Sequence, residues 1–126
     1  MSSFTKPLRI EDLDGLHFRL LESFIYYTNE NKIICVPEGF ITDFASIPRV
    51  CWSIIGSPIG KYGKAAVVHD FCYHVQKYTR KYSDYIFLEA MTVLEVNPAK
   101  RWIMWLAVRS FGWIPWNKRA KELEKK

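Results

Sequence analysis

Val67-Val68-His69-Asp70-Phe71-Cys72-Tyr73-His74 is the stretch on which the reading of this chain turns. Two β-branched residues lead straight into a His-Asp pair, and aromatic residues and a second histidine close the run. Before it lies Gly56-Ser57-Pro58-Ile59-Gly60-Lys61-Tyr62-Gly63, whose three glycines and proline read as a loop. The segment from about Lys64 to Lys77 then reads as a helix with His69 and Asp70 in its first half.

Upstream the pattern is that of strands. Residues 16–28 are aromatic and β-rich with partial alternation, which predicts a strand with an irregularity near Leu20-Leu21-Glu22. Residues 28–32 form a turn, Ile33-Ile34-Cys35-Val36 a second strand, and Phe40-Ile41-Thr42 a third, after a turn at Pro37-Glu38-Gly39. Ser46 can cap a helix that holds Pro48 in its first turn and runs to about Ile55.

Downstream the pattern is helical. Ser83 caps a helix to about Glu95, with Asp84 in its first turn. Asn97 and Pro98 open a last helix to about Ser110, which Gly112 and Pro115 stop. Strands first and helices later give an α+β fold, with about three antiparallel strands followed by three to four helices. The 126 residues fit a single domain, with 1–14 and 117–126 peripheral or frayed.

The chain is 49% hydrophobic and 16% aromatic, enough to fill a core, and its net charge is +5. That charge permits contact with anionic partners without arguing strongly for them. Nucleic-acid binding needs a basic stripe interleaved with aromatics, and Lys77-Tyr78-Thr79-Arg80-Lys81-Tyr82, the one candidate, reads first as a solvated turn. No run of about 18 apolar residues is present, so no membrane span is expected. The N-terminus lacks the apolar stretch of a signal peptide. Cys35, Cys51 and Cys72 show no Cys-x-x-Cys spacing, which fits reduced thiols. The aromatic run from Arg101 to Trp116 packs on a core and shows Trp edges such as Trp113 and Trp116 to a partner, or lies as a peripheral contact on a bilayer.

The chemistry-bearing residues converge on His69. Asp43, at the end of a strand, can point into a cleft and join His69 and Asp70 as a catalytic set. Asp70, Asp43 and His74, the last four residues beyond Asp70 on one helix face, form a candidate site for a divalent cation, calcium or zinc. The structural alternative stays open beside it. Asp43 can cap its own turn, Asp70 can pair with Arg49 or Lys64, and His69 can be a core histidine. Ser46 is a helix cap rather than a nucleophile on this reading, because no nucleophile-elbow motif surrounds it.

Val36-Pro37-Glu38-Gly39-Phe40-Ile41-Thr42-Asp43-Phe44-Ala45-Ser46-Ile47-Pro48-Arg49, taken with Gly63-Lys64-Ala65-Ala66-Val67-Val68-His69-Asp70-Phe71-Cys72-Tyr73, resembles the bacteriophage and prophage family Domain of Unknown Function 1353. The resemblance covers about residues 16–116 and implies a phage or prophage origin, with no activity to carry over. His69-Asp70-Phe71-Cys72-Tyr73 with a later Asp84 is also similar to the active-site helices of phospholipase A2, over about 20 residues. That similarity implies His69 as the base that activates water, Asp70 as a calcium ligand and Asp84 as the group orienting His69. A hairpin turning near Arg80 instead sets His69 against Met91, with Asp84 about 10 Å away along the axis.

The His69 cluster predicts a small hydrolase, metal-assisted, and the resemblance implies that it is phage-encoded and acts on a lipid or peptidoglycan of the cell envelope, in the host cytoplasm or the virion. The alternative is a non-enzymatic virion, tail or host-interaction protein that binds other phage proteins or a host component through its aromatic C-terminal surface. An open cleft at His69 favours the first. A buried, fully bonded His69 with an exposed Trp113 or Trp116 favours the second.

Overall fold

The computed structural model describes residues 3–5, 7–14, 17–44, 46–48 and 63–125. The chain divides into two compact units, Met1–Asp43 and Phe44–Lys126. The first holds six strands and the second four helices, which makes the fold α+β. The expected helix from Ser46 to Ile55, with Arg49 and Cys51, and the glycine loop at 56–62 lie outside the described residues.

The first unit has two three-stranded antiparallel sheets rather than one. One orders β1 (Ser3–Phe4), β4 (Phe24–Tyr27) and β5 (Ile33–Val36); the other orders β2 (Ile10–Asp12), β3 (Phe18–Leu20) and β6 (Ile41–Thr42). The irregularity read at Leu20-Leu21-Glu22 is a full break, since β3 and β4 belong to different sheets. The backbone polar groups there are satisfied by other segments: Leu21 N–H donates to Arg9 O and Leu20 N–H to Phe40 O. The N-terminal residues, expected to be peripheral, supply β1 and β2.

Alternation sets which face is buried. Phe18 and Leu20 of β3 are buried while Arg19 points out and pairs with Glu11 at 3.0 Å. Phe24 and Tyr26 of β4 face inward with Ile34 and Val36 of β5, and the Phe4 ring packs 4.6 Å from that of Tyr26. The β4–β5 turn closes as expected at 28–32. Asn31 takes φ 64°, and the Thr28 hydroxyl accepts from Lys32 N–H.

In the second unit the helices are α1 (Gly63–Val75), α2 (Arg80–Val93), α3 (Pro98–Phe111) and α4 (Trp113–Glu124). Helix α2 packs on both α1 and α3, and α4 packs on α1. Ala65 to His69 form an unbroken buried run, so α1 lies at the centre of the unit. Asn97 caps α3 through Ala99 N–H with Pro98 in first position, as expected.

Three helix boundaries differ from the sequence reading. Helix α1 stops at Val75, two residues early, because Gln76 turns into the left-handed region at φ 50°. Helix α2 starts at Arg80, capped by Thr79, whose hydroxyl accepts from Tyr82 N–H at 3.1 Å. Ser83, the expected cap, instead donates its hydroxyl to Thr79 O. Pro115 does not end the helical region: it is the third residue of α4, in a first turn that tolerates proline. The tail is held on α1 by Arg119, which donates to His74 O at 2.8 Å.

Candidate functional site

His69 lies on the buried face of α1, and both of its ring nitrogens are engaged. Ser46 Oγ is 2.9 Å from Nδ1, and Asp84 Oδ1 is 2.7 Å from Nε2. The relative exposures of Ser46, His69 and Asp84 are 2%, 0% and 0%. Asp84 also accepts from Tyr73 Oη at 2.7 Å on Oδ1, and from Arg109 at 2.8 Å and Arg80 at 3.5 Å on Oδ2. A carboxylate that accepts on both oxygens draws the ring proton to Nε2. Nδ1 is then bare and accepts the Ser46 hydroxyl. The result is a directed chain: Ser46 O–H to His69, His69 N–H to Asp84, and Asp84 steadied by a phenol and two guanidiniums.

Local structure explains how Asp84 reaches His69, against the expected separation of about 10 Å. The connection between α1 and α2 is residues 76–79, centred two to three residues before Arg80. That shift moves the partner of a given α1 residue by about five positions, or about 7.5 Å along the axis. His69 accordingly packs against Phe87, with ring centroids 4.6 Å apart, and Asp84 lies one turn away within bonding reach. Tyr73, one turn beyond His69, packs its ring at a tilt 4.4 Å from the imidazole and sends its hydroxyl to the same carboxylate. The carboxylate bonded to His69 is therefore Asp84, the residue that the phospholipase likeness implied for that contact.

Ser46 is bonded on both its backbone and its side chain, while the helix it was expected to cap lies outside the described residues. Its backbone N–H donates to Asp70 Oδ1 at 3.2 Å and its hydroxyl meets His69. The turn that presents it begins at Phe44, whose φ of 57° is unusual for a bulky side chain, and closes with Ile47 N–H donating to Phe44 O at 3.0 Å. The sequence carries no glycine signal for it.

The remaining candidates are placed as follows. Asp43 is the last residue of the first unit, half-buried. Asp70 is half-buried and accepts from the Ser46 backbone N–H through Oδ1. His74 is exposed, and Arg119 Nη2 lies 3.2 Å from its Nε2. Among the described residues no group of three or more His, Cys, Asp or Glu is arranged to hold a metal ion. Trp113 is exposed, whereas Trp116 is half-buried with its ring edge-on to Tyr73 at 5.0 Å. Sequence reasoning missed Arg80 and Arg109. The i, i+4 spacing of Arg80 and Asp84 was the available signal for the first; Arg109 had none.

Burial and the negative Asp84 push the Cys72 thiol up to about 12. The same two causes, burial first, raise Tyr73, so its hydroxyl stays a donor.

The fold and this centre define an α+β protein with a buried serine–histidine–aspartate chain. It belongs to the family described as Protein of unknown function (DUF1353), whose model matches residues 18–108. That match takes in Ser46, His69, Asp70, Tyr73 and Asp84. The uncharacterized protein y4jT of Sinorhizobium fredii (strain NBRC 101917 / NGR234) is 37% identical over 92 residues. These cover 71% of this chain and 27% of that protein, so the chain spans about a quarter of its relative's length. No solved structure matches the chain.

Proposed function

We propose that the protein is a hydrolase of the acyl-transfer type, with Ser46 as nucleophile, His69 as general base and Asp84 as the carboxylate that orients the imidazole. One observation supports this above the others: the continuous chain from Ser46 Oγ to His69 Nδ1 at 2.9 Å and from His69 Nε2 to Asp84 at 2.7 Å. His69 takes the serine proton as Oγ attacks an ester carbonyl carbon, then returns it to the departing alkoxide. Water, deprotonated by the same nitrogen, releases the acyl group. Asp84 stabilises the imidazolium formed in each half. A cell-envelope ester is the substrate class, consistent with the phage or prophage setting that the sequence resemblance implies. An ion-paired network is a weak way to stabilise a fold compared with apolar packing of similar volume, which favours a chemical role.

The near-zero exposure of all three residues favours a second reading. In it the network pins α1 against α2 and α3 in a non-enzymatic binding protein. Turnover of p-nitrophenyl butyrate separates the two. The hydrolase reading expects Ser46→Ala and His69→Asn each to lower kcat/KM by on the order of 10³-fold or more while the protein stays folded. Absence of ester turnover in the wild type, with both substitutions lowering only the melting temperature, would overturn it and leave the binding protein.

A further inference from the structure

Helices α3 and α4 follow one helical path, because Gly112 between them has φ −63° and ψ −17° and donates to Val108 O. Along such a path residues eleven apart lie three turns apart on nearly the same side. Trp113 therefore follows Trp102, and Ile114 follows Ile103, with Leu106 between the pairs. These five are 44–60% exposed. The other side of the path buries Met104 and Val108 and meets α1 through Trp116 and Arg119. An ordinary surface helix turns a polar face to water. This one turns two Trp, two Ile and a Leu outward as a single stripe.

Charge says what fits that stripe. Residues 98–126 carry eight Lys and Arg against two Glu, so this stretch holds +6 of a chain whose net charge is +5. Lys100 is exposed just before Trp102, and Lys118, Lys121 and Lys125 are exposed after Ile114. A second copy of the chain would bring these cations against their own kind. An anionic bilayer takes both parts: the apolar side chains enter the acyl boundary, the indoles suit the interface, and the ammonium groups meet the headgroups. No helix among the described residues is long and apolar enough to cross a membrane.

We propose that Trp102, Ile103, Leu106, Trp113 and Ile114 dock the protein on the surface of an anionic lipid bilayer, with α3 and α4 lying in the interface plane. This rests on the outward stripe and its charge, not on the hydrolase reading. The test is co-sedimentation of the full chain with phosphatidylcholine vesicles with and without phosphatidylglycerol, read with tryptophan emission. Binding to the phosphatidylglycerol vesicles with a blue shift is expected, at least about tenfold weaker without that lipid and weakened again by salt. Leu106→Glu with Trp113→Glu abolishes it while circular dichroism and melting are unchanged, and Ser46→Ala binds like wild type. Absence of binding to anionic vesicles overturns the proposal, as does equal binding to both vesicle types or binding undiminished in the double variant. Self-association abolished by the double variant, without vesicle binding, would make the stripe an interface between copies.

Discussion

Asp84 accepts four donors contributed by three helices: His69 and Tyr73 from α1, Arg80 from its own helix and Arg109 from α3. Removing its charge while keeping its shape leaves two guanidiniums with a weak partner and frees the imidazole to change tautomer. Asp84→Asn is therefore expected to lower stability by about 2–4 kcal/mol in urea unfolding. Ester turnover should fall far more than that loss explains, on the order of 10³-fold or greater at a temperature where the variant is folded. A stability loss with turnover intact would show that Asp84 only braces the helices.

Cys72 and Tyr73 sit beside this carboxylate and hold their protons tightly. The Cys72 thiol has an ordinary value of 9.0 and is raised to about 12 in the folded protein, by burial first and then by Asp84. Between those values the folded state binds more protons than the unfolded chain. Stability from this group is thus fully present below about pH 9 and is lost as pH rises towards 12; Tyr73 adds the same sign above its ordinary 10.0. Urea midpoints measured from pH 8 upward should fall with pH, and less steeply in Cys72→Ala. Parallel slopes would contradict the burial of the thiol.

At the scale of elements, the close approach of α1 to the junction of α3 and α4 depends on Gly112. A Cβ there would meet Val108 O and the Tyr73 hydroxyl, with Arg80 Nη1 at 3.1 Å. Alanine favours a helix over glycine by about 1 kcal/mol, yet overpacking against fixed atoms costs about 1–3 kcal/mol. The second effect wins because one of the obstacles is backbone. Gly112→Ala is expected to lower the melting temperature and to displace Tyr73 from Asp84, whereas an unchanged or higher melting temperature would refute that packing. Arg80 acts on the same junction, donating to Val108 O at 3.1 Å and Arg109 O at 3.3 Å, the last carbonyls of α3.

The boundaries of these elements show what a sequence carries. Alternation at Phe18-Arg19-Leu20 and Phe24-Ile25-Tyr26 marks real strands, because the side-chain period fixes which face is buried. It does not say that the two belong to different sheets, since that depends on the pairing of β3 with β6 and of β4 with β1, which are distant in the chain. Helix α1 is legible from its apolar run, but its end is not. Gln76 adopts the left-handed conformation without the glycine that usually announces it. Thr79 and Ser83 are equally able to cap, and only the packing of Asp84 decides between them. Those two ambiguities displaced Asp84 from His69 on paper and favoured Asp43.

Over the whole molecule, the legible part of the centre was the part written locally. His69, Asp70 and Tyr73 share one helix and stand out in the sequence. Ser46 and Arg109 come from segments 23 residues before His69 and 25 residues after Asp84, and their role follows from tertiary packing alone. The second unit gathers these groups, and the stripe on α3 and α4 gives it an outward apolar face besides. The proposed reacting centre and the proposed docking face are separable, since substitutions at one leave the side chains of the other in place.

The central claim is that the Ser46 hydroxyl is made nucleophilic by His69. Its most direct measurement is labelling of the folded protein with a fluorophosphonate, followed by intact mass and peptide mapping. The account expects a single adduct on Ser46, absent in Ser46→Ala and strongly slowed in His69→Asn and Asp84→Asn. A wild-type protein that stays unlabelled, or takes the label elsewhere at the same rate in all three variants, would contradict it.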